Sequence, residues 1–547
     1  MTTHDFNHQI VSAVAAEFGD QAEATDLVGL GFATSVPDVA AFGDFSNNVA
    51  LVAARVLGLP PREIAQRLVE RIQATVPEVE RVEVAGPGFL NIWMTAQYWQ
   101  RELASVSPRY ASSHQGAGKK VQVEFISANP TGPTTIGNAR GGFIGDVLSR
   151  VLEHAGYQVT REYYFNNAGT QMSKLLESVR MEAGLIPETE ERQYRGDYIK
   201  ALATEFAAEL TSADDDRLKE LIATSILKRY IEPAVAAMGI EFDVWFNEKD
   251  LLKDGRFEHT IKLLDERGLV FKRDGAVWLN TGDIGDERSE RVIFKSNGDP
   301  TYMAPDIAYH ADLFGRRSFD YAIKVLGPDH VAQFPSVYAA VHALYPDKRF
   351  TMAGYQWLRV MRDGREVKVS KRLGQFITVV DLVKEVGLPV ARFLILMRSA
   401  EAAIDFDLDL AREQSAKNPY YYVMYAYARA HSVLAKAKER GLEPAGQPGP
   451  LTPPERDLVR AMSQLPEMVT EMAADYGVHR LTFYGLELAK VFTTFYEAER
   501  IIDLPPAEAA TRLYTISQFV VFMDVYWHLL GIEPKAHMLP SDSEATA

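Results

Sequence analysis

KKVQVEFISANPTGPTTIGNARGGFIGDVLSRVLEHAGYQVTREYYFNNAG, residues 119–169, reads as strand, tight loop, helix and strand. Val121, Val123 and Phe125 alternate with Gln122 and Glu124, the period of a half-buried strand. Asn129-Pro130-Thr131-Gly132-Pro133 then turns the chain, since two prolines and a glycine cannot continue a central strand. Ile144, Val147, Leu148, Val151 and Leu152 recur at i, i+3, i+4, i+7 and i+8, one apolar face of a helix. Gly156 stops that helix, and Tyr157 to Phe165 supplies a second strand. Strand, helix and strand make a βαβ unit, hence a parallel sheet with a right-handed crossover.

The chemistry of this stretch lies between strand and helix. Gly137, Gly141, Gly142 and Gly145 carry no Cβ, so backbone or ligand can approach closely. A helix N-terminus offers unpaired N–H groups and partial positive charge, which suit phosphate. The spacing is neither GxGxxG nor GxxxxGK[ST], so the dinucleotide and P-loop readings both fail. The glycines alone fit a packed βαβ unit without a ligand equally well.

At 547 residues the chain should hold two to four domains, and 47% hydrophobic with 24% charged residues is ordinary globular composition. No run is apolar enough for a membrane span, and Met1 to Ile10 has no secretory signature. The absence of cysteine excludes disulfides, thiolate chemistry and Cys-ligated zinc, and fits a cytoplasmic protein. A net charge of −16 argues against a general polyanion binder, although a local basic stripe can hold RNA on an acidic protein.

Four regions follow in order. Residues 1–104 read as a small α/β domain, with helical patterns near 5–19 and 46–74 and paired strands around Gly86-Pro87-Gly88. Residues 105–118, SVSPRYASSHQGAG, read as a linker. Residues 119–410 form the α/β core, interrupted by a mostly helical insertion over about 170–265. Residues 411–547 are helical, broken by a loop from Gly441 to Pro454, with Pro540–Ala547 expected to be disordered.

Five further places carry candidate chemistry. Tyr302 and Asp306 are four apart, so a helix puts them on one face. A carboxylate can take a guanidinium bidentately and a tyrosine can add a hydrogen bond or a ring; the plainer reading is an Asp complementing a helix N-terminus. Tyr321 to Gly327 is a core strand, apolar except for Lys324, and Pro328-Asp329-His330-Val331-Ala332-Gln333 follows at its C-terminal end, where open α/β sheets place ligands. Asp363-Gly364 signals a hairpin, and Lys368-Val369-Ser370-Lys371-Arg372 puts three cations on one loop, suited to phosphates or simply solvated. Asn418 to Arg429 carries five tyrosines and an arginine, able to stack unpaired RNA bases or to pack on the core. Tyr476, His479, Phe483 and Tyr484 are exposed-aromatic candidates.

These words together resemble the class I aminoacyl-tRNA synthetases, and specifically the arginyl type, over essentially the whole chain. The run from Glu124 to Pro133, Asp146 and the run from Tyr163 to Gly169 match that family's first signature and its sequel. Lys368 to Arg372 resembles the class I KMSKS loop, FGDFSNNVAL and VAGPGFLNI the family's N-terminal module, and NPYYYVMYAYAR the opening of its helical anticodon-binding domain. The chain departs where the family has His-Ile-Gly-His: it has Thr135-Ile136-Gly137-Asn138, the TIGN form found in many tryptophanyl synthetases. Val331, Ala332, Met424 and Tyr427 are further departures, and with Thr135 and Asn138 they are expected where the substrates meet.

The resemblance implies a Rossmann-like catalytic core between a small α/β module and an all-α domain. It implies ligation of L-arginine to tRNA(Arg) with ATP and Mg²⁺, through an adenylate, in a monomer that needs bound tRNA before it activates arginine. Thr135, Asn138, Lys368 and Lys371 are then catalytic. Ser127, Asn129, Tyr302, Asp306, Gln333 and Glu248 bind arginine, and Gly137, Gly141, His330 and Ser370 bind ATP. No resident metal is expected. The departures leave two alternatives: a weakly active or non-catalytic tRNA-binding paralogue, and a ligase with a non-tRNA acceptor.

Overall fold

Strand β1 (Lys120–Glu124), helix α1 (Ile136–His154) and strand β2 (Gln158–Phe165) form the βαβ unit that the two periodicities predict. The computed structural model describes residues 3–19, 31–37, 40–167, 169–280, 282, 290–301, 303–331, 334–367 and 377–536. Strands β3 (Val244–Asn247), β4 (Tyr321–Leu326) and β5 (Arg349–Gly354) complete a five-stranded parallel sheet in the order β5-β4-β1-β2-β3. The order reverses at β1, and the crevice outside the carboxyl ends of β1 and β4 is where such sheets bind ligands.

Helix α1 lies unusually close to this sheet. A Cβ on Gly145 would stand 2.3 Å from the Phe125 ring, so only glycine allows the contact. Arg140, fully buried, donates to the carbonyls of Gln356, Trp357, Ser399 and Ala402 and fixes the chain beyond β5 against the helix. Nearly two turns on, Asp146 is buried beneath Arg392 of helix α3 (Leu388–Leu396) and Arg150. Burial would raise its carboxyl pKa, but the two guanidiniums outweigh burial and hold it below the ordinary value. Arg392 also donates to Leu530 O at 2.6 Å and Met238 O at 3.3 Å, so one buried cation joins α1, α3, the insertion and the last helix.

The insertion between β2 and β3 is helical, but the range 170–265 takes in too much. Val244–Asn247 lies within it and is the edge strand of the core sheet. Four residues are too few for alternation to show. After β3 come a helix, Arg256–Glu266, and a three-stranded antiparallel sheet, followed by helix α2 (Met303–Gly315).

The N-terminal region is a four-stranded sheet covered by helices, among them Thr3–Phe18 and Pro61–Thr75. Residues 105–118 are packed rather than a free tether: Val106 and Tyr110 are buried, and the Tyr110 ring lies 5.6 Å from that of Phe522. Gln518 donates to the carbonyls of Leu103 and Val106. Both apolar contact and hydrogen bonds therefore bind this segment to the last helix.

The C-terminal region is all helix, including α4 (Pro419–Glu439), α5 (Arg480–Ala498) and α6 (Pro506–Leu530). Met424 and Tyr427 do not meet at the substrate crevice. Both are buried in the helical core, and the Tyr427 hydroxyl donates to Asp524 at 2.7 Å. Tyr484 is likewise buried, with its hydroxyl on Ala461 O, whereas Phe483 is 47% exposed. Residues 540–547 lie outside the described residues. Among the described residues no helix is long and apolar enough to cross a membrane.

Replacing Arg392 by Met leaves Asp146 in the interior with Arg150 at 3.0 Å and Arg161 at 3.5 Å as its remaining cations. We expect a loss of about 3–5 kcal/mol in urea unfolding, and recovery of much of it when Asp146 is replaced by Leu in the same chain.

Candidate active site

The loop after β1 is held in a costly shape. Ile126 and Ser127 have φ of +65° and +36°, a region that side-chain-bearing residues seldom adopt. Four contacts fix it. Ser127 Oγ accepts from the Tyr164 N–H at 3.1 Å, and Tyr163 OH donates to Ala128 O at 2.8 Å. Tyr198 OH donates to Thr131 O at 3.1 Å, and Asn129 Nδ2 donates to Gln171 Oε1 at 2.9 Å.

The loop delivers the chain to the N-terminus of α1, where Thr135 and Asn138 bind each other. Asn138 Oδ1 accepts from the Thr135 N–H at 3.2 Å and from its hydroxyl at 3.1 Å, the reciprocal arrangement of a capping box. Gly137 sits between them, and a Cβ there would meet nothing nearer than Thr135 Oγ1 at 3.8 Å. Lys368, Ser370 and Lys371 lie outside the described residues, but the chain on both sides is placed. Before them, Asp363 and Gly364, with φ of +50° and +67°, make the expected hairpin turn. After them, Thr378 bridges Thr135, with Ile136 N–H on Ile377 O and Val379 N–H on Thr134 O.

Loop and helix open onto a cavity of about 680 Å³. Lys324 of β4, Glu124 of β1 and Glu162 of β2 are register partners, a row of charges across the sheet. Arg317 and the Tyr309 hydroxyl satisfy Glu162. Lys324 Nζ stands 2.6 Å from Asp306 Oδ1 and 3.4 Å from Glu124 Oε2. Glu248 follows β3, and its Oε2 accepts from Tyr164 OH at 2.6 Å. Burial raises the pKa of Glu124 and Glu248, opposed by Lys324 at the first and chiefly by the Tyr164 hydroxyl at the second. Burial works against charge on Lys324 too, but its two carboxylates outweigh it and hold the ammonium above the ordinary lysine value. One end of the cavity therefore seeks a cation through Glu124, Glu248 and Asp306. The other presents a helix N-terminus suited to phosphate.

Ser127, Asn129, Thr135, Gly137, Asn138, Glu248 and Asp306 all line this one cavity. Gly141 does not: a Cβ there would lie 2.7 Å from the Tyr355 ring, so this glycine makes room for a side chain rather than for nucleotide. Tyr302, Gln333 and the side chain of His330 lie outside the described residues. Sequence reasoning missed Tyr164, Tyr355 and Arg140, whose partners are all distant in sequence. It noted Lys324 only as a lone charge in an apolar strand, which was the available signal.

The strand order, the crevice at its reversal and the returning loop beside α1 are those of a class I aminoacyl-tRNA synthetase core. A family model described as tRNA synthetases class I (R), catalytic domain, matches residues 103–395. The fold is shared by methionyl-tRNA synthetase of Mycobacterium tuberculosis, with TM-score 0.54 and 11% identity over 75% of this chain and 91% of that one. The chain belongs to the arginyl-tRNA synthetase family. Its residues 8–94 match the Arginyl tRNA synthetase N terminal domain, and 423–538 the DALR anticodon binding domain. It is 40% identical over 484 residues to the arginine–tRNA ligase of Oleidesulfovibrio alaskensis, covering 85% of this chain and 88% of the relative. It is 37% identical over 514 residues to that of Bacillus pumilus, covering 90% and 91%. The arginyl-tRNA synthetase of Thermus thermophilus has the same fold, with TM-score 0.77 and 22% identity over 98% and 100%.

His310, one turn beyond Asp306, tests the burial of the cation-seeking end. Its ring is buried, Nδ1 donates to Asp306 O at 2.7 Å, and burial with the nearby Lys324 ammonium holds its pKa down to about 3. The unfolded chain takes up this proton below about pH 6.5 and the native chain only near pH 3, so stability falls as the pH drops between them. The loss is up to about 5 kcal/mol by linkage. His310→Leu should flatten this acid limb in unfolding measured from pH 7 to pH 4.

Proposed function

We infer that the chain is an arginine–tRNA ligase that joins L-arginine to tRNA(Arg) with ATP through arginyl-adenylate. The observation that carries this reading is the single cavity with a carboxylate-lined end and a phosphate-suited end, in a chain with curated arginine–tRNA ligases among its relatives. The arginine carboxylate attacks the α-phosphate of ATP in line and pyrophosphate leaves. The terminal ribose of the tRNA then takes the arginyl group and AMP leaves. No side chain acts as nucleophile; placement and charge neutralisation carry both steps.

Ser127 and Asn129 hold the α-amino and carboxylate groups of arginine. Asp306 and Glu248, with Tyr302 and Gln333, take the guanidinium. Thr135, Gly137 and Asn138 face the nucleotide, joined by His330, Ser370 and the cations Lys368 and Lys371. Mg²⁺ enters on the ATP phosphates as part of the substrate. Among the described residues no cluster of three or more His, Asp or Glu is suited to hold a metal ion. The N-terminal and helical regions bind the tRNA, and the reaction takes place in the cytoplasm.

Total tRNA should be charged with labelled arginine, and Lys371→Ala should abolish most of that activity. Asp306→Asn should raise the arginine KM by about 10- to 100-fold, the loss of one charged hydrogen-bonding partner. An unchanged KM would remove Asp306 from the arginine site. Tight, salt-sensitive tRNA binding without charging would favour a non-catalytic paralogue.

A further inference from the structure

Lys324 is the one charged residue in the run from Tyr321 to Leu326, and its side chain is only 8% exposed. It is fixed by the sheet itself, since it stands in register with Glu124 on the neighbouring strand. Its ammonium lies between two carboxylates on different elements, Asp306 at 2.6 Å and Glu124 at 3.4 Å. Of the neighbouring charges, Glu162 is held by Arg317 and Tyr309, and one oxygen of Glu248 accepts from Tyr164. Lys324 itself lines the cavity. The cation-seeking end of the site thus already contains a cation, of the kind a lysine substrate would bring.

We propose that Lys324 determines specificity by occupying the seat of an ammonium ion between Asp306 and Glu124, so that amino acids ending in an amine are refused. An ammonium is a compact point charge that needs converging acceptors, and those acceptors are taken. A guanidinium is a planar fork with donors along two edges. It can reach carboxylate oxygens from the side without displacing the resident charge. Removing the resident ammonium takes from Glu124 and Asp306 the cation they share, an arrangement that draws in any cation able to reach it.

This inference rests on the arginine reading of the cavity, and the experiment separates the two. Charging of tRNA with arginine is measured first on the unaltered chain; failure there sinks the proposed function. Given arginine charging, ATP–pyrophosphate exchange in the presence of tRNA is measured with lysine and with ornithine for the unaltered chain, Lys324→Met, Lys324→Gln and Lys324→Arg. In both neutral variants kcat/KM for at least one of the two amines should rise about tenfold or more, and in Lys324→Arg it should not. A merely structural lysine would lower activity without creating a new substrate. If Lys324→Met does not fold, Lys324→Gln decides, and an amine activity that stays at the unaltered level in every folded neutral variant overturns the proposal.

Discussion

The site depends on how closely helix α1 approaches the sheet. Gly145 against Phe125 permits an approach that a single methyl group would block. The consequence is geometric: the helix N-terminus comes to rest at the carboxyl end of β1, beside the strained loop through Ile126 and Ser127. Arg140 then clamps the chain after β5 against the helix from one side, and Asp146 with Arg392 anchors it from the other. Apolar contact sets the distance, and buried hydrogen-bonded charges set the rotation and register. The same Arg392 takes the carbonyl of Leu530, so the helical C-terminal region is tied directly to the helix that carries the site.

Charge is arranged on the same plan, with the buried carboxylates of β1, β2 and α1 each set against a cation. Glu162 meets Arg317, Asp146 meets Arg392, and Glu124 and Asp306 meet Lys324. Apart from Asp306–Lys324, these pairs span elements far apart in sequence, so they also fix tertiary contacts. An isolated ion in such surroundings would take up or release a proton. The Lys324 cluster differs from the others in facing a cavity, where its balance of charge bears on what can bind.

The elements legible in the sequence were those set by local rules. The βαβ unit follows from two periodicities, and the Asp363-Gly364 turn from the left-handed φ that both residues adopt. Ser127, Asn129, Glu248 and Asp306 were placed by family words, and all line the cavity. What escaped was non-local. The Val244–Asn247 strand is defined by its partner β2 and not by its own four residues. Gly141 has no signal that distinguishes room for Tyr355 from room for a nucleotide. Met424 and Tyr427, read as substrate-facing, are buried because α4 turns that face toward the helical core, and Asp524, nearly a hundred positions on, receives the Tyr427 hydroxyl.

The same distinction between local and distant partners bears on how a TIGN sequence would serve at the phosphate site of the ligase reading. Two imidazoles would bring donors able to carry charge; Thr135 and Asn138 bring none. They instead lock each other through Asn138 Oδ1, which commits the acceptor end of the amide to the helix cap. The cap fixes the first turn of α1, whose dipole favours an anion without any ionised side chain. Positive charge must then come from another segment. On the ligase reading Lys368 and Lys371 would supply it, and the bridge from Thr378 to Thr135 ties the chain after them to the capped helix. On that reading, fixed neutral donors from the helix and cations from the chain preceding Thr378 would divide between them what paired histidines would do from one place.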